Sequence, residues 1–153
     1  MIDWGAAYHP LLEFSLRKHG RRMSPLDIEL DGERRILLIS GPNAGGKSVC
    51  LKTVALLQYM MQCGLAVPMN EASKMGIYKQ LLIDIGDEQS IEDDLSTYSS
   101  HLRNMKHFVR FANHDTLLLI DEFGTGTEPM IGGAIAEAVL SQLNEQHAFG
   151  VIT

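Results

Sequence analysis

With 153 residues, 45% of them hydrophobic, the chain has room for one domain with a real core. A formal net charge of −6 argues against a broad nucleic-acid-binding face, so a polyanion would meet a local patch or another part of a longer protein. No apolar run reaches bilayer-spanning length and no signal peptide opens the chain, which fits a cytoplasmic protein.

Residues 1–25 carry the weakest pattern. Pro10-Leu11-Leu12 predicts a turn into a short apolar element, and Arg17, Lys18, Arg21 and Arg22 crowd together as a solvated loop or a basic rim near phosphates. Asp27-Ile28-Glu29-Leu30 alternates polar and apolar like a half-buried strand, and Asp31-Gly32 is a hairpin signal. An antiparallel hairpin is therefore expected to lead into the buried strand Ile36–Ile39.

The eight residues from Gly41 to Ser48 (Gly41, Pro42, Asn43, Ala44, Gly45, Gly46, Lys47, Ser48) fit G-x-x-x-x-G-K-[ST] at every fixed position. An apolar strand precedes them and a helical pattern, Lys47 to Cys63, follows. Strand, glycine loop and helix together make a phosphate site: backbone N–H groups turn inward around the anion, and the helix N-terminus adds positive potential. Lys47 would reach the β- and γ-phosphates, and the Ser48 hydroxyl would ligate Mg²⁺. The helix is apolar on almost every side, so it should be covered on two faces, with Gly64 capping its end. Cys50 and Cys63 lie about 20 Å apart along it and cannot pair, so two buried thiols are expected.

Ala66-Val67-Pro68-Met69 allows a short strand. Leu81–Ile85 reads as another, opening into the polar loop from Gly86 and the acidic run Glu92-Asp93-Asp94. Leu102, Met105, Phe108, Val109 and Ala112 share one helix face, with Ser99 or Ser100 placed as N-cap. Thr116–Ile120 is a buried strand ending in Asp121-Glu122. Asp121 fits the acid that a phosphate loop needs on a neighbouring strand to hold Mg²⁺ through water. Glu122 points the other way and suits the polarisation of an attacking water. Ile131, Ile135, Ala138, Val139 and Leu143 mark a last helix, and a strand begins at Phe149. The chain stops inside that strand, as a piece of a longer protein would. His101, His107 and His114, six and seven residues apart, do not build a metal site. Alternating strands and helices predict an α/β fold: a three-layer sandwich on a mostly parallel sheet.

The loop Gly41–Ser48, Asp121-Glu122 followed by Gly124-Thr125-Gly126-Thr127, and the segment Ser96–Ser100 between them resemble the ATPase domain of MutS proteins, over roughly Ala7 to Thr153. Asp84–Ser90, Leu95–His101 and Val49 after Ser48 look most like the second MutS branch. The resemblance implies a P-loop NTPase fold of ABC-ATPase type with ATP between two subunits. Gly41 to Val49 would hold ATP and Mg²⁺, with Ser48 and Asp121 serving the metal, Lys47 and Glu122 the chemistry, and Gln89 the γ-phosphate. Ser96, Thr97 and Ser99 would reach the partner's ATP, and Gly124, Thr125, Gly126 and Thr127 would lie at the dimer seam. An adenine contact is expected within Arg21–Pro25. The missing glycines after Ser96 argue against a transporter subunit.

The family's γ-phosphate histidine follows the strand that begins at Phe149, and a helical dimerisation element lies further on. A chain ending at Thr153 should therefore bind nucleotide yet hydrolyse poorly. Three functions stay open: an ATPase coupled to dimer closure on mismatched or branched DNA contacted by other regions, an ATP-gated dimerisation module, and another P-loop class.

Overall fold

The computed structural model describes residues 1–42, 45–86, 94–124 and 128–153, with residues 94–98 described by backbone alone. The chain is α/β, with two sheets. A small antiparallel sheet takes β1 (Ile2–Ala7), β2 (Leu26–Leu30) and β4 (Lys74–Met75) in the order β2-β1-β4. A parallel sheet takes β3 (Ile36–Leu38), β5 (Gln80–Asp84), β6 (Thr116–Ile120) and β7 (Phe149–Ile152) in the order β3-β7-β6-β5. The helices are α1 (Pro10–Lys18), α2 (Lys47–Gln62), α3 (Asp94–Phe111) and α4 (Pro129–Glu145).

Strand parity divides the core. All five residues of β6 are buried, and successive side chains point to opposite faces. Leu117 and Leu119 pack with Leu51, Val54 and Leu57 of α2. Leu118 and Ile120 pack with Met105 and Phe108 of α3, with Ala112 just past its end, and with Leu143 of α4. The parallel sheet thus carries helices on both faces, as expected. The first cluster also holds Ile2, Trp4, Ile28 and Leu30, so the antiparallel sheet covers the other side of α2. That explains a helix apolar on almost every side. Its end carries a Schellman cap: Gly64 N–H donates to Met61 O at 2.9 Å and Leu65 N–H to Met60 O at 2.9 Å.

Several expectations are corrected. β2 and β3 do not form a hairpin. Leu30 pairs back with Ile2, and β3 joins the parallel sheet beside β7. The turn at Asp31 is real, with Oδ1 accepting from Glu33 N–H at 2.8 Å and Arg34 N–H at 2.7 Å, but it passes the chain from one sheet to the other. The strand that pairs with β2 was not legible because it is broken by a bulge: the register shifts between Trp4 and Ala7, and Ala6 has φ 48°. The displaced N–H groups are satisfied by side chains, Gly5 N–H by Ser73 Oγ at 3.0 Å and Ala6 N–H by Asp27 Oδ1 at 2.8 Å.

Residues 66–69 form no strand. Pro68 has no N–H for a ladder, and its carbonyl accepts from Tyr8 N–H at 2.9 Å. β3 lies at the sheet edge and is only part-buried, with Leu38 59% exposed. α3 starts at Asp94, so Ser99 and Ser100 lie inside it and neither caps it. On α4 the covered face is turned: Gly132 and Leu143 are buried while Ile131 is 51% exposed. Cys50 and Cys63 are both free, as the spacing required, but Cys63 is exposed and not buried.

Candidate functional site

All four strands of the parallel sheet run the same way, so the segments following β3, β5, β6 and β7 emerge at one edge. That carboxyl edge is where open α/β sheets bind ligands. The sequence pattern placed its candidate residues in three of these segments.

After β3 comes the glycine loop. Gly41 (φ 152°) and Gly46 (φ 82°) take positive φ values that L side chains rarely adopt, and a Cβ at either would meet open space. Gly45 N–H donates to Pro42 O at 2.9 Å, which closes the loop. Gly46 is the N-cap residue of α2 and brings no side-chain cap, and the first turn carries no acid. The helix therefore presents uncapped N–H groups with nothing acidic in its first turn to neutralise the positive end of its dipole. Lys47 Nζ donates to the Gly41 carbonyl at 2.7 Å, so the ammonium lies across the loop. Ser48 is half-buried in the first turn and Val49 is 37% exposed. Asn43 and Ala44 lie outside the described residues.

After β6 comes the acidic pair. Asp121 is 5% exposed. Its N–H donates to the Asp84 carbonyl at 2.9 Å. Its Oδ1 accepts the Thr153 hydroxyl and, at 3.1 Å, the Glu122 N–H. The Glu122 N–H is shared with Thr153 Oγ1, also at 3.1 Å. Glu122 is exposed and takes φ 53°, beyond the end of β6. Asp121 is buried and Glu122 exposed, and it is a left-handed turn, not strand alternation, that separates them. β6 is also not the immediate neighbour of β3, because β7 stands between them. Gly124 packs against its own α4, where an added Cβ would approach Gly132 O to 3.3 Å and Ala136 Cβ to 3.4 Å. Thr125, Gly126, Thr127 and Gln89 lie outside the described residues. Ser96 and Thr97 fall in the first turn of α3 with only their backbone described, and Ser99 is exposed in its second turn.

Sequence reasoning missed a part-buried cluster centred on Asp84. Asp84, 8% exposed at the end of β5, accepts from His101 Nδ1 at 2.6 Å on Oδ2 and from Asn104 Nδ2 at 2.8 Å on Oδ1. A carboxylate only accepts, so the hydrogen shared with His101 sits on Nδ1. The three-residue spacing of His101 and Asn104 on one helix face was visible, but their carboxylate partner was not. A cavity of about 30 Å³ between α3 and α4 is lined by Asp84, His101, Asp121, Glu122 and Gly124. That is room for one or two waters. The basic residues Arg17, Arg21 and Arg22 line a separate recess of about 560 Å³ with Tyr8, Glu13 and Met23. Its size is that of small-molecule pockets, about 300–1,000 Å³. Among the described residues no group of three or more His, Cys, Asp or Glu could hold a metal ion by itself, and no helix is long and apolar enough to cross a membrane.

A parallel sheet with a glycine loop and a buried carboxylate on its carboxyl edge, beside a small antiparallel sheet, makes this an α/β protein. Comparison with known families places it more closely: residues 37–153 match MutS domain V, and the chain belongs to that family. It is 46% identical over 148 residues to Endonuclease MutS2 of Thermomicrobium roseum, covering 97% of this chain and 18% of that protein. Endonuclease MutS2 of Pelotomaculum thermopropionicum is 46% identical over 152 residues, covering 99% of this chain and 18% of the relative. That of Lactobacillus helveticus is 44% identical over 147 residues, 96% of this chain and again 18% of the relative. The chain thus spans about a fifth of the length of these relatives. The MutS resemblance read from the motifs agrees with both comparisons, and these relatives carry the name of the second branch.

Proposed function

We propose that this chain is the ATP-binding and ATP-hydrolysing module of a MutS-family DNA repair or recombination protein, with a P-loop NTPase fold of ABC-ATPase type. Nucleotide state would be coupled to closure of a homodimer on mismatched or branched DNA held by other regions. The observation that carries this reading is the loop after β3: uncapped helix N–H groups, two positive-φ glycines, and the Lys47 ammonium lying across the loop. These are the donors that a polyphosphate requires.

Gly41 to Val49 would hold the nucleotide, Asn43 and Ala44 included, and Lys47 would exchange the Gly41 carbonyl for phosphate oxygens. Ser48 and Asp121 fit a hard cation that takes oxygen ligands, one of them through water. Mg²⁺ bound there would neutralise charge on the transferred phosphoryl group. Glu122, exposed past the strand end, would orient the attacking water. Ser96, Thr97, Ser99, Gly124, Thr125, Gly126 and Thr127 would meet the partner subunit, and Gln89 the γ-phosphate.

Calorimetric titration with Mg-ATP tests the reading. The chain should bind saturably, and Lys47→Ala should weaken binding at least tenfold, about 1.4 kcal/mol. Equal binding by both proteins would place the nucleotide elsewhere.

A further inference from the structure

The geometry points to Thr153 as the positioning residue of the acidic pair: its hydroxyl joins Asp121 to Glu122 and fixes the carboxylate that serves the metal. This inference rests on the ATP–magnesium reading of the site.

Thr153 is held on three sides. Its N–H donates to the Ile120 carbonyl at 3.0 Å, and its carbonyl accepts from Phe123 N–H at 2.9 Å. These two bonds straddle the Asp121-Glu122 step, so the backbone at Thr153 moves only with that turn. The hydroxyl then lies between the Asp121 carboxylate and the Glu122 backbone N–H. It donates to Asp121 Oδ1 and accepts from Glu122 N–H. Oδ1 of Asp121 therefore takes two hydrogen bonds, one from a hydroxyl and one from a backbone amide. With that oxygen anchored, the other oxygen, Oδ2, which makes no hydrogen bond among the described residues, would serve the water shell of a cation.

The same hydroxyl bears on Glu122. A non-glycine residue at positive φ is strained and persists only where its surroundings impose it. Here the N–H of the strained residue is shared between Thr153 Oγ1 and Asp121 Oδ1, at 3.1 Å each. One hydroxyl thus holds the metal carboxylate and the backbone of the candidate water-activating residue together. Such an arrangement is preorganisation: the acids need not reorient when the nucleotide arrives.

Valine matches threonine in shape and β-branching and lacks only the hydroxyl, whereas serine keeps it. The affinity of the chain for ATP should be measured by calorimetry with Mg²⁺ and with EDTA, for the natural chain, Thr153→Val and Thr153→Ser. In Thr153→Val the affinity gained from Mg²⁺ should fall at least fivefold while Mg²⁺-free binding, which depends on the glycine loop, stays within twofold. Thr153→Ser should retain the gain. An unchanged Mg²⁺ gain in Thr153→Val, an equal loss in Thr153→Ser, or a parallel loss of Mg²⁺-free binding (a folding effect) would each overturn the inference and leave the ATP reading standing. A natural chain that binds no ATP, or gains nothing from Mg²⁺, would overturn the ATP–magnesium reading and this inference with it.

Discussion

Asp31 shows how one short side chain sets the course of the backbone. Its Oδ1 accepts two N–H groups of the turn, and its Oδ2 accepts the Arg34 guanidinium at 2.8 Å. The backbone bond from Arg34, its side-chain bond and the Glu33 N–H together hold the carboxyl at about 2, below the ordinary 3.8. A folded pKa below the unfolded one means that the stabilisation is complete above pH 3.8 and is lost as pH falls through about 2. Asp31→Asn keeps an acceptor for the turn but cannot ionise. The variant should be less stable than the natural chain at neutral pH, and the gap should close toward pH 2. Urea midpoints measured from pH 7 downward check this, and a pH-independent gap would show that the charge plays no part. Cys50 is a quieter case: burial pushes its thiol up, so it is not a reactive centre at neutral pH.

At the scale of elements, Asp84 is the joint between β5, β6 and α3. Its carbonyl accepts the N–H of Asp121, and its carboxylate holds His101 and Asn104. α3 carries the serine segment proposed to meet the partner subunit, so Asp84 links that helix to the strand end bearing Asp121, the proposed metal carboxylate. Breaking this part-buried pair leaves a polar group short of its partner, at about 1–3 kcal/mol, while removing both partners restores part of the loss. Asp84→Leu and His101→Leu should each destabilise the chain by that order, and the double variant by less than the sum. Additive losses in urea denaturation would mean that the two side chains do not act as a pair.

For the whole molecule, the decisive question is whether nucleotide chemistry drives assembly. In the complete protein, Glu122→Gln should lower ATP turnover about 10²–10⁴-fold, the usual contribution of a positioned general base. It should also trap an ATP-bound dimer detectable by size-exclusion chromatography. Preserved turnover would remove Glu122 from the chemistry. Lost ATP binding in that variant would point instead to a structural defect at the turn held by Thr153.

Much of this was legible from the chain because it is written locally. The strand–glycine loop–helix unit and the acid after an apolar run are contiguous, and local sterics, capping and periodicity decide them. β1 was not legible, because a bulge breaks its alternation and its N–H groups are satisfied by Ser73 and Asp27. The apolar set on α2 announced two covered faces without saying that one would be an antiparallel sheet.

By itself, then, the sequence determined the identity and order of the site-bearing segments. Only the tertiary structure decided that β7 stands between β3 and β6, that Asp84 finds His101 and Asn104, and that Thr153 bridges Asp121 and Glu122. The reason is physical: parallel strands pair through crossovers of many residues, so their order and register depend on contacts between distant parts of the chain that no local pattern records.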